Sequence, residues 1–168
     1  MEKTLWIMVG VPGSGKSYIA NHLLMRGSGW RYISRDEIRF SIITDEDEYF
    51  DKENLVFAKF IRAIDVAFNE DGIFNVIADA THLNWASRRK LLHALGQDVE
   101  KTWNIIPVVV SAPEEEIISN NDGREGRSRV PHSVIQRMNA QMTEPNTDPY
   151  RYSGILHIYN TRNKEEKN

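Results

Sequence analysis

The chain has 168 residues, which suits one domain and is short for two. A hydrophobic fraction of 40% excludes global disorder, and the lack of cysteine excludes a disulfide partner, a disulfide scaffold and a thiolate zinc site. The 21 basic and 24 acidic residues give a formal charge of −3, so any nucleic acid has to be bound by a few positioned arginines rather than by a generally basic surface.

Strand and helix patterns alternate along the chain. Apolar runs predict strands at 4–9, 30–34, 73–78, 102–110 and 155–159, and helical spacing predicts helices at 16–25, 56–68, 84–95 and 133–142. We expect one α/β domain over residues 1–160, with a mainly parallel five-stranded sheet flanked by helices, and a polar tail at 161–168. No apolar run approaches the roughly 20 residues of a membrane span, and no signal peptide is visible, so we expect a cytoplasmic protein without membrane contact.

Two local features concern the fourth strand and the helix after it. Pro107 near the middle of the strand predicts an irregular or edge-like stretch, because proline cannot donate a backbone hydrogen bond. The spacing of Ser111 and Glu114 predicts a capping box that opens the next helix.

The turn between the first strand and the first helix reads GVPGSGKS and matches G-x-x-x-x-G-K-[ST]. Glycines let backbone N–H groups point at phosphate oxygens, Lys16 reaches the β- and γ-phosphates, and the Ser17 hydroxyl can bind Mg²⁺. The motif therefore predicts a site for ATP and Mg²⁺, and the residues expected to bind the nucleotide are Gly13, Ser14, Gly15, Lys16, Ser17 and Tyr18.

The second strand is followed by SRDEIR, which contains Asp36 and Arg39. A phosphotransferase needs a carboxylate that orients the acceptor hydroxyl and accepts its proton, and Asp36 is placed for that role. Arg39 is three residues further on, so both side chains could lie on one face of a short helix. The same spacing also fits a solvent-exposed ion pair, and spacing alone does not decide between the two.

Asp79 closes the third strand, where proteins with a phosphate loop place an aspartate that organises a metal ion. The alternative for Asp79 is a turn or helix N-cap, a role for which Asn84 is also a candidate. Arg88 and Arg89 on the following helix are interpreted as its solvated face.

The segment 120–131 is rich in arginine and glycine. Arg124, Arg127 and Arg129 lie within six residues, next to Gly123 and Gly126. A lid that closes over ATP needs hinges and guanidinium groups that match phosphate oxygens. The alternative is an ordinary flexible loop.

Four segments, GVPGSGKS, SRDEIR, DATHLN and GREGRSRVP-HSVIQRM, together resemble the 5′-hydroxyl polynucleotide kinase domain of phage end-repair enzymes, within the P-loop kinases. The resemblance covers roughly residues 3–145. It implies that Lys16 and Ser17 hold the ATP phosphates and Mg²⁺, and that Asp36 is the general base. It further implies that Arg39 contacts the phosphate next to the acceptor, and that Asp79 lies beside the metal and the acceptor with Thr81 close by. Arg124 and Arg127 are expected to bind the nucleotide from the lid, and Arg129 of the same lid is expected to contact the acceptor.

The expected activity is therefore transfer of the γ-phosphoryl group of ATP to a 5′-hydroxyl end of DNA or RNA, by an α/β P-loop kinase with an arginine-rich lid. Among the lid arginines, the resemblance favours Arg124 as the one that touches the transferring group. Two alternatives remain open. One is a small-molecule kinase acting on a nucleoside, sugar or antibiotic hydroxyl, and the other is an ATP-dependent switch that acts through a partner.

Overall fold

A computed structural model describes residues 2–96 and 99–161 and contains one parallel sheet with the strand order β2-β3-β1-β4-β5. The strands are β1 (Lys3–Val9), β2 (Trp30–Ser34), β3 (Asn75–Asp79), β4 (Trp103–Ser111) and β5 (Leu156–Tyr159). The α-helices are α1 (Lys16–Ile19), α2 (Arg35–Ile42), α3 (Glu53–Asn69), α4 (Trp85–Leu95), α5 (Val99–Thr102), α6 (Glu114–Asp122) and α7 (His132–Gln141). The predicted α/β class and the five strands are confirmed.

Helices cover both faces of the sheet. On one face of the central strand β1, Leu5 and Ile7 are fully buried in a core cluster with Phe60 of α3. On the other face, Met8 shares a second cluster with Ile19 of α1. Successive side chains of a strand point to opposite faces, so the continuous apolar run in β1 is explained by burial on both sides.

The predicted irregularity at Pro107 is only partly right. β4 is a regular strand from Trp103 to Ser111, and Pro107 pairs with Ile7 of β1. On its other side, β4 pairs with β5 only from Val108 onward. Ile105 donates its N–H to the Ser153 hydroxyl and accepts the Ser153 N–H, so its backbone polar groups point towards that side. Backbone groups two residues apart in a strand point the same way, so the nitrogen of Pro107 also faces that side, just before β5 begins.

The predicted capping box before α6 is wrong. Ser111 still belongs to β4, and its carbonyl accepts the backbone N–H of Asn160 at 2.7 Å. The residue before α6 is Pro113, which makes no side-chain cap. Three glutamates in the first turn of α6 place negative charge near the positive end of the helix dipole instead.

The interpretation of Arg88 as solvated is also wrong, although Arg89 is exposed as expected. Arg88 is fully buried, and its guanidinium binds both carboxylate oxygens of Asp148 at 2.6 and 2.8 Å. It also donates to the carbonyls of His82 and Thr143 at 2.8 and 3.0 Å. The predicted cap of the same helix is confirmed, because the Asn84 side chain accepts the backbone N–H of Ser87 at 3.0 Å.

Helix α1 continues without a break into a π-helical turn (Ala20–Leu24), close to the predicted end at residue 25. No helix within residues 2–96 and 99–161 is long and apolar enough to cross a membrane. Apart from Thr161, the predicted polar tail lies outside the described residues.

Candidate active site

The phosphate-loop sequence forms a tight turn between β1 and α1. Gly13 and Gly15 adopt φ angles of +88° and +97°, a region that other residues rarely occupy. A Cβ atom on Gly13 would lie 2.4 Å from the carbonyl oxygen of Ile117, and one on Gly15 would lie 2.2 Å from Nδ2 of Asn160. Both the backbone conformation and the close packing therefore require glycine at these two positions.

Lys16 lies inside this loop. Its ammonium donates to the carbonyl of Val11 at 3.2 Å. Burial lowers the pKa of Lys16, the Asp79 carboxylate partly offsets that effect, and the positive charge of Arg124 adds to it. An ammonium at a glycine-rich turn before a helix is suited to bind an anion such as a phosphate.

The hydroxyls of Ser17 and Tyr32 meet at the carboxylate of Asp79, at the end of β3. Ser17 donates to Oδ2 of Asp79 at 2.8 Å, and the Tyr32 hydroxyl donates to the same oxygen. Asp79 is 5% exposed, and the burial of Tyr32 together with this carboxylate raises the pKa of Tyr32. A serine hydroxyl and one carboxylate are hard oxygen ligands, which fits Mg²⁺, an ion that takes its remaining ligands from phosphates and water.

Asp36 lies in the first turn of α2 and is partly exposed. Its Oδ1 accepts the hydroxyl of Tyr49 at 2.6 Å, and its Oδ2 lies 3.8 Å from Nη2 of Arg124. Burial and the nearby Asp36 carboxylate raise the pKa of Tyr49 to about 12, so its hydroxyl keeps the proton that it donates. One carboxylate oxygen is therefore fixed by the protein, and the other faces a cation from the predicted lid.

Arg39 is 3% exposed, so the interpretation of Asp36 and Arg39 as a solvent-exposed ion pair is wrong. Its Nε is 3.7 Å from Asp36, but its guanidinium also binds Glu53 and the backbone carbonyl of Tyr49. Glu53 binds Arg35 as well. Burial lowers the pKa of Arg39, but the hydrogen bond with Glu53 and the charge interactions with Tyr49, Glu53 and Asp36 together outweigh it, so the pKa of Arg39 is raised.

The predicted lid is an ordered loop between α6 and α7 that contains a short 3₁₀-helix (Gly126–Ser128). Asn121 is fully buried and connects the two ends of this loop. Its Nδ2 donates to the Val130 carbonyl at 2.6 Å, and its Oδ1 accepts the Val130 N–H at 2.9 Å. Asn120 donates to the carbonyl of Gly13 at 3.0 Å, which connects the base of the lid to the phosphate loop.

The three lid arginines have different surroundings. Arg124 faces Asp36, as described above. Arg127 donates to the backbone carbonyls of Thr44 and Asp47 at 3.0 and 2.7 Å, in the loop between α2 and α3. Arg129 donates to the carbonyl of Arg124 at 3.1 Å. Of the three, Arg124 is the one whose guanidinium lies beside the predicted base.

Thr81 and Tyr18, also predicted as binding residues, border the phosphate loop. The carbonyl of Thr81 accepts the N–H of Gly10 at 3.0 Å, which connects the chain after β3 to the start of the loop. The ring of Tyr18 stacks on His22, with 4.2 Å between ring centroids, and packs against the core cluster that contains Met8.

Four polar residues of the site were not predicted from the sequence: Tyr32, Tyr49, Glu53 and Asn160. A tyrosine in a half-buried strand, two residues before the strand ends, is a signal that could have indicated Tyr32. The other three belong to no local motif. Tyr49 and Glu53 reach the site because the loop and α3 pack back against α2, and Asn160 reaches it at the end of β5, where its side chain donates to the Ser14 carbonyl at 3.2 Å.

Comparison with known proteins places this geometry in a family. A family model described as an AAA domain matches residues 5–145. A chain of the Pnkp1/Rnl/Hen1 RNA repair complex superposes with a TM-score of 0.65 at 22% identity, over 83% of this chain and 44% of that one. A fungal RNA kinase superposes with a TM-score of 0.62 at 15% identity, over 94% of this chain and 75% of that one. A sugar kinase from Janibacter sp. HTCC2649 superposes with a TM-score of 0.56 at 20% identity, over 92% of this chain and 85% of that one.

These likenesses establish a P-loop kinase-type fold. The chain spans less than half the length of the RNA repair protein that it matches, 44%, so the activity of that whole protein does not transfer with the fold.

Proposed function

Because the chain belongs to the AAA domain family and has the fold of P-loop kinases, we propose that it transfers the γ-phosphoryl group of ATP to a 5′-hydroxyl end of DNA or RNA. The observation that carries this proposal is the approach of Arg124 in the lid to Asp36 on α2, at 3.8 Å. A lid cation beside a candidate base is an arrangement suited to phosphoryl transfer, because it places positive charge where negative charge develops. A cytoplasmic location is part of the same proposal.

On the donor side, the phosphate loop binds the β- and γ-phosphates through its backbone N–H groups and through Lys16. The oxygen atoms of Ser17 and Asp79 would hold Mg²⁺, which when bound neutralises charge on the β- and γ-phosphates. Tyr32, which donates to the same carboxylate oxygen, keeps Asp79 in place.

On the acceptor side, Asp36 accepts the proton of the acceptor hydroxyl. Because Oδ1 is occupied by the Tyr49 hydroxyl, Oδ2 is the oxygen that takes this proton, on the side of Arg124. The acceptor oxygen forms a bond to the γ-phosphorus, and the bond between that phosphorus and the bridging oxygen breaks. ADP leaves with the bonding electrons, and Arg124 and Lys16 stabilise the negative charge of the transition state.

A polynucleotide acceptor is supported by the position of Arg39 next to Asp36. Arg39 lies 3.7 Å from Asp36, and it contacts the phosphate that follows the first nucleoside once its buried guanidinium exchanges Glu53 for that phosphate. The folds of the RNA repair chain and the fungal RNA kinase agree with this choice.

The experiment is transfer of label from γ-phosphate-labelled ATP to 5′-hydroxyl DNA and RNA oligonucleotides, nucleosides and sugars. Labelled oligonucleotides are expected. We expect Lys16→Ala to abolish the transfer without loss of the fold, and Lys59→Ala, an exposed lysine on α3, to leave it unchanged. Near-normal turnover of the Lys16→Ala enzyme would contradict the phosphate-loop assignment.

A small-molecule kinase is the second candidate. The observation in its favour is the sugar kinase from Janibacter sp. HTCC2649, which matches 92% of this chain over 85% of its own length. Labelled sugars with unlabelled oligonucleotides would favour this candidate.

A further inference from the structure

A cluster of three aromatic side chains lies on the acceptor side of the site: Phe40, Tyr49 and Phe50. Tyr49 is its centre, with ring centroids 6.1 Å from Phe40 and 4.7 Å from Phe50, both in edge-to-face arrangements. Phe50 is 65% exposed and Phe40 39%, and Phe50 is the most exposed large hydrophobic side chain among the residues that the structure describes. Exposed aromatic surface next to a polar site is typical of a binding surface.

Direct contacts connect the cluster to the predicted base. The Tyr49 hydroxyl donates to Asp36, and the guanidinium carbon of Arg39 lies 4.2 Å from the centre of the Tyr49 ring. The same carbon is 5.4 Å from the centre of the Phe50 ring. The exposed ring of Phe50 is therefore separated from the Asp36 carboxylate by a single side chain.

The loop that carries Phe50 is held in a defined conformation. Asp47 accepts the backbone N–H of Thr44 at 2.8 Å and binds Lys52 at 2.9 Å, and Asp51 accepts the N–H of Glu48 at 2.8 Å. The Phe50 ring is thus presented to solvent by an ordered loop, which lowers the entropic cost of stacking a ligand on it.

We propose that Phe50 stacks on the nucleobase of the acceptor whose 5′-hydroxyl lies at Asp36. The proposal rests on the proposed function and names its recognition element: a nucleobase, which a sugar acceptor lacks. Every base has a π-face, so stacking on an aromatic ring recognises nucleic-acid ends without preference for sequence. Arg39, which contacts both the Tyr49 and Phe50 rings, holds the cluster beside the Asp36 carboxylate.

The test compares two acceptors, a 5′-hydroxyl oligonucleotide and the same oligonucleotide with an abasic 5′-terminal residue. Steady-state kinetics are measured for the wild type, Phe50→Ala, Phe50→Trp and the control Val66→Ala, which removes an exposed hydrophobic side chain from α3. We expect Phe50→Ala to raise KM for the normal oligonucleotide about 5- to 150-fold, with kcat little changed.

The abasic acceptor should have a high KM with the wild type, and Phe50→Ala should change it by less than about twofold, because no base remains to stack. Phe50→Trp should keep the wild-type KM, since it keeps an aromatic face, and Val66→Ala should behave as the wild type. An equal rise of KM for both acceptors, or no change for either, would overturn the stacking role while transfer to oligonucleotides stands. A wild type that phosphorylates no oligonucleotide would overturn both proposals.

Discussion

The carboxylate of Asp36 has a different neighbour at each of its two oxygen atoms. Oδ1 accepts the Tyr49 hydroxyl at 2.6 Å, and Oδ2 lies 3.8 Å from Arg124. The first contact fixes the rotation of the carboxylate, and the second holds a cation beside the oxygen that would accept a proton. A general base in phosphoryl transfer needs both orientation and a nearby charge that stabilises the transition state.

Replacing Asp36 by asparagine keeps the shape of the side chain and removes the proton acceptor. We expect kcat to fall roughly 10²-fold or more, with the affinity for ATP little changed. The matched control is Glu37→Gln, which neutralises the adjacent exposed carboxylate and should leave kcat unchanged. Steady-state kinetics and equilibrium binding of ATP distinguish these effects, and an equal loss of ATP binding in Asp36→Asn would make Asp36 a structural or metal-binding residue.

His82 is a buried residue with a structural role. It adopts φ +43°, and its Nδ1 bonds to the Met8 carbonyl at 2.9 Å, which identifies Nδ1 as the protonated nitrogen of the neutral ring. Burial lowers the pKa of His82 to about 4; the Met8 carbonyl opposes this shift, and the positive charges of Arg35 and Lys16 add to it. The folded protein therefore keeps His82 neutral at a pH where the unfolded chain binds a proton.

His82 should make the protein less stable in acid. Between the unfolded pKa of roughly 6.5 and the folded value of about 4, only the unfolded state is protonated, so the free energy of unfolding should decrease by about 1.4 kcal/mol per pH unit as the pH falls. In His82→Asn, a residue that tolerates a positive φ, this contribution should disappear. Urea unfolding at several pH values measures the difference, and the exposed control Asn54→Ala, which removes no ionisable group, should keep the wild-type slope.

The segment predicted to be a lid contacts both the phosphate loop and the loop between α2 and α3. Its base is held to the phosphate loop by Asn120, and Arg127 binds the backbone of the loop between α2 and α3. Arg124 lies between these attachments, opposite Asp36. Arg124 is therefore placed to contact the transferring group, whereas Arg127 holds the lid against the acceptor side.

Arg124→Ala should therefore reduce kcat more than any other lid variant, with a smaller effect on ATP binding, because its charge acts mainly in the transition state. Arg127→Ala should reduce kcat less and increase cleavage of the lid by a protease, since it loses two hydrogen bonds to the neighbouring loop. Arg129→Ala should have the smallest effect, and the exposed Arg62→Ala serves as control. Equal kinetic constants for all four variants would show that the segment is an ordinary surface loop.

Another connection between elements is buried under the site. Arg88 of α4 binds both oxygens of Asp148, and the Tyr152 hydroxyl donates to the same carboxylate at 2.7 Å. Asp148 lies in the segment that leads to β5, at whose end Asn160 contacts the phosphate loop. This ion pair therefore holds the part of the chain that brings Asn160 to Ser14.

Asp148→Asn should lower the free energy of unfolding by about 3–5 kcal/mol, because it leaves the Arg88 charge buried without its counter-charge. The exposed Asp71→Asn variant is the control and should change stability by less than about 0.5 kcal/mol. Denaturant unfolding of the two variants checks this prediction. A loss of less than about 1 kcal/mol for Asp148→Asn would show that the buried Arg88 does not need the counter-charge of Asp148.

For the whole molecule, the sequence predicts what lies close along the chain. The α/β class and the five strands follow from alternating patterns, and the phosphate loop follows from a motif whose glycines have no substitute at positive φ, whereas the strand order comes from the structure alone. Arg88 was misread because its partner Asp148 lies 60 residues away, and a helical arginine shows no local sign of burial. Tyr49 and Glu53 were missed for the same reason: their contacts depend on how α3 and the preceding loop pack against α2.

The net charge of −3 leads to a prediction about the protein as a whole. An acidic protein that binds a nucleic-acid end through a few arginines and a stacked base should neutralise only one or two phosphates. Because single strands release about 0.7 counterions per phosphate, the logarithm of oligonucleotide affinity should fall with the logarithm of salt concentration with a slope of about −0.7 to −1.4. Arg39→Ala should make the slope shallower by about 0.7, whereas Arg39→Lys, which keeps the charge, should retain it. Fluorescence anisotropy of a labelled 5′-hydroxyl oligonucleotide over a KCl series gives the slope, and a value steeper than about −4 would indicate an extended backbone-binding surface instead.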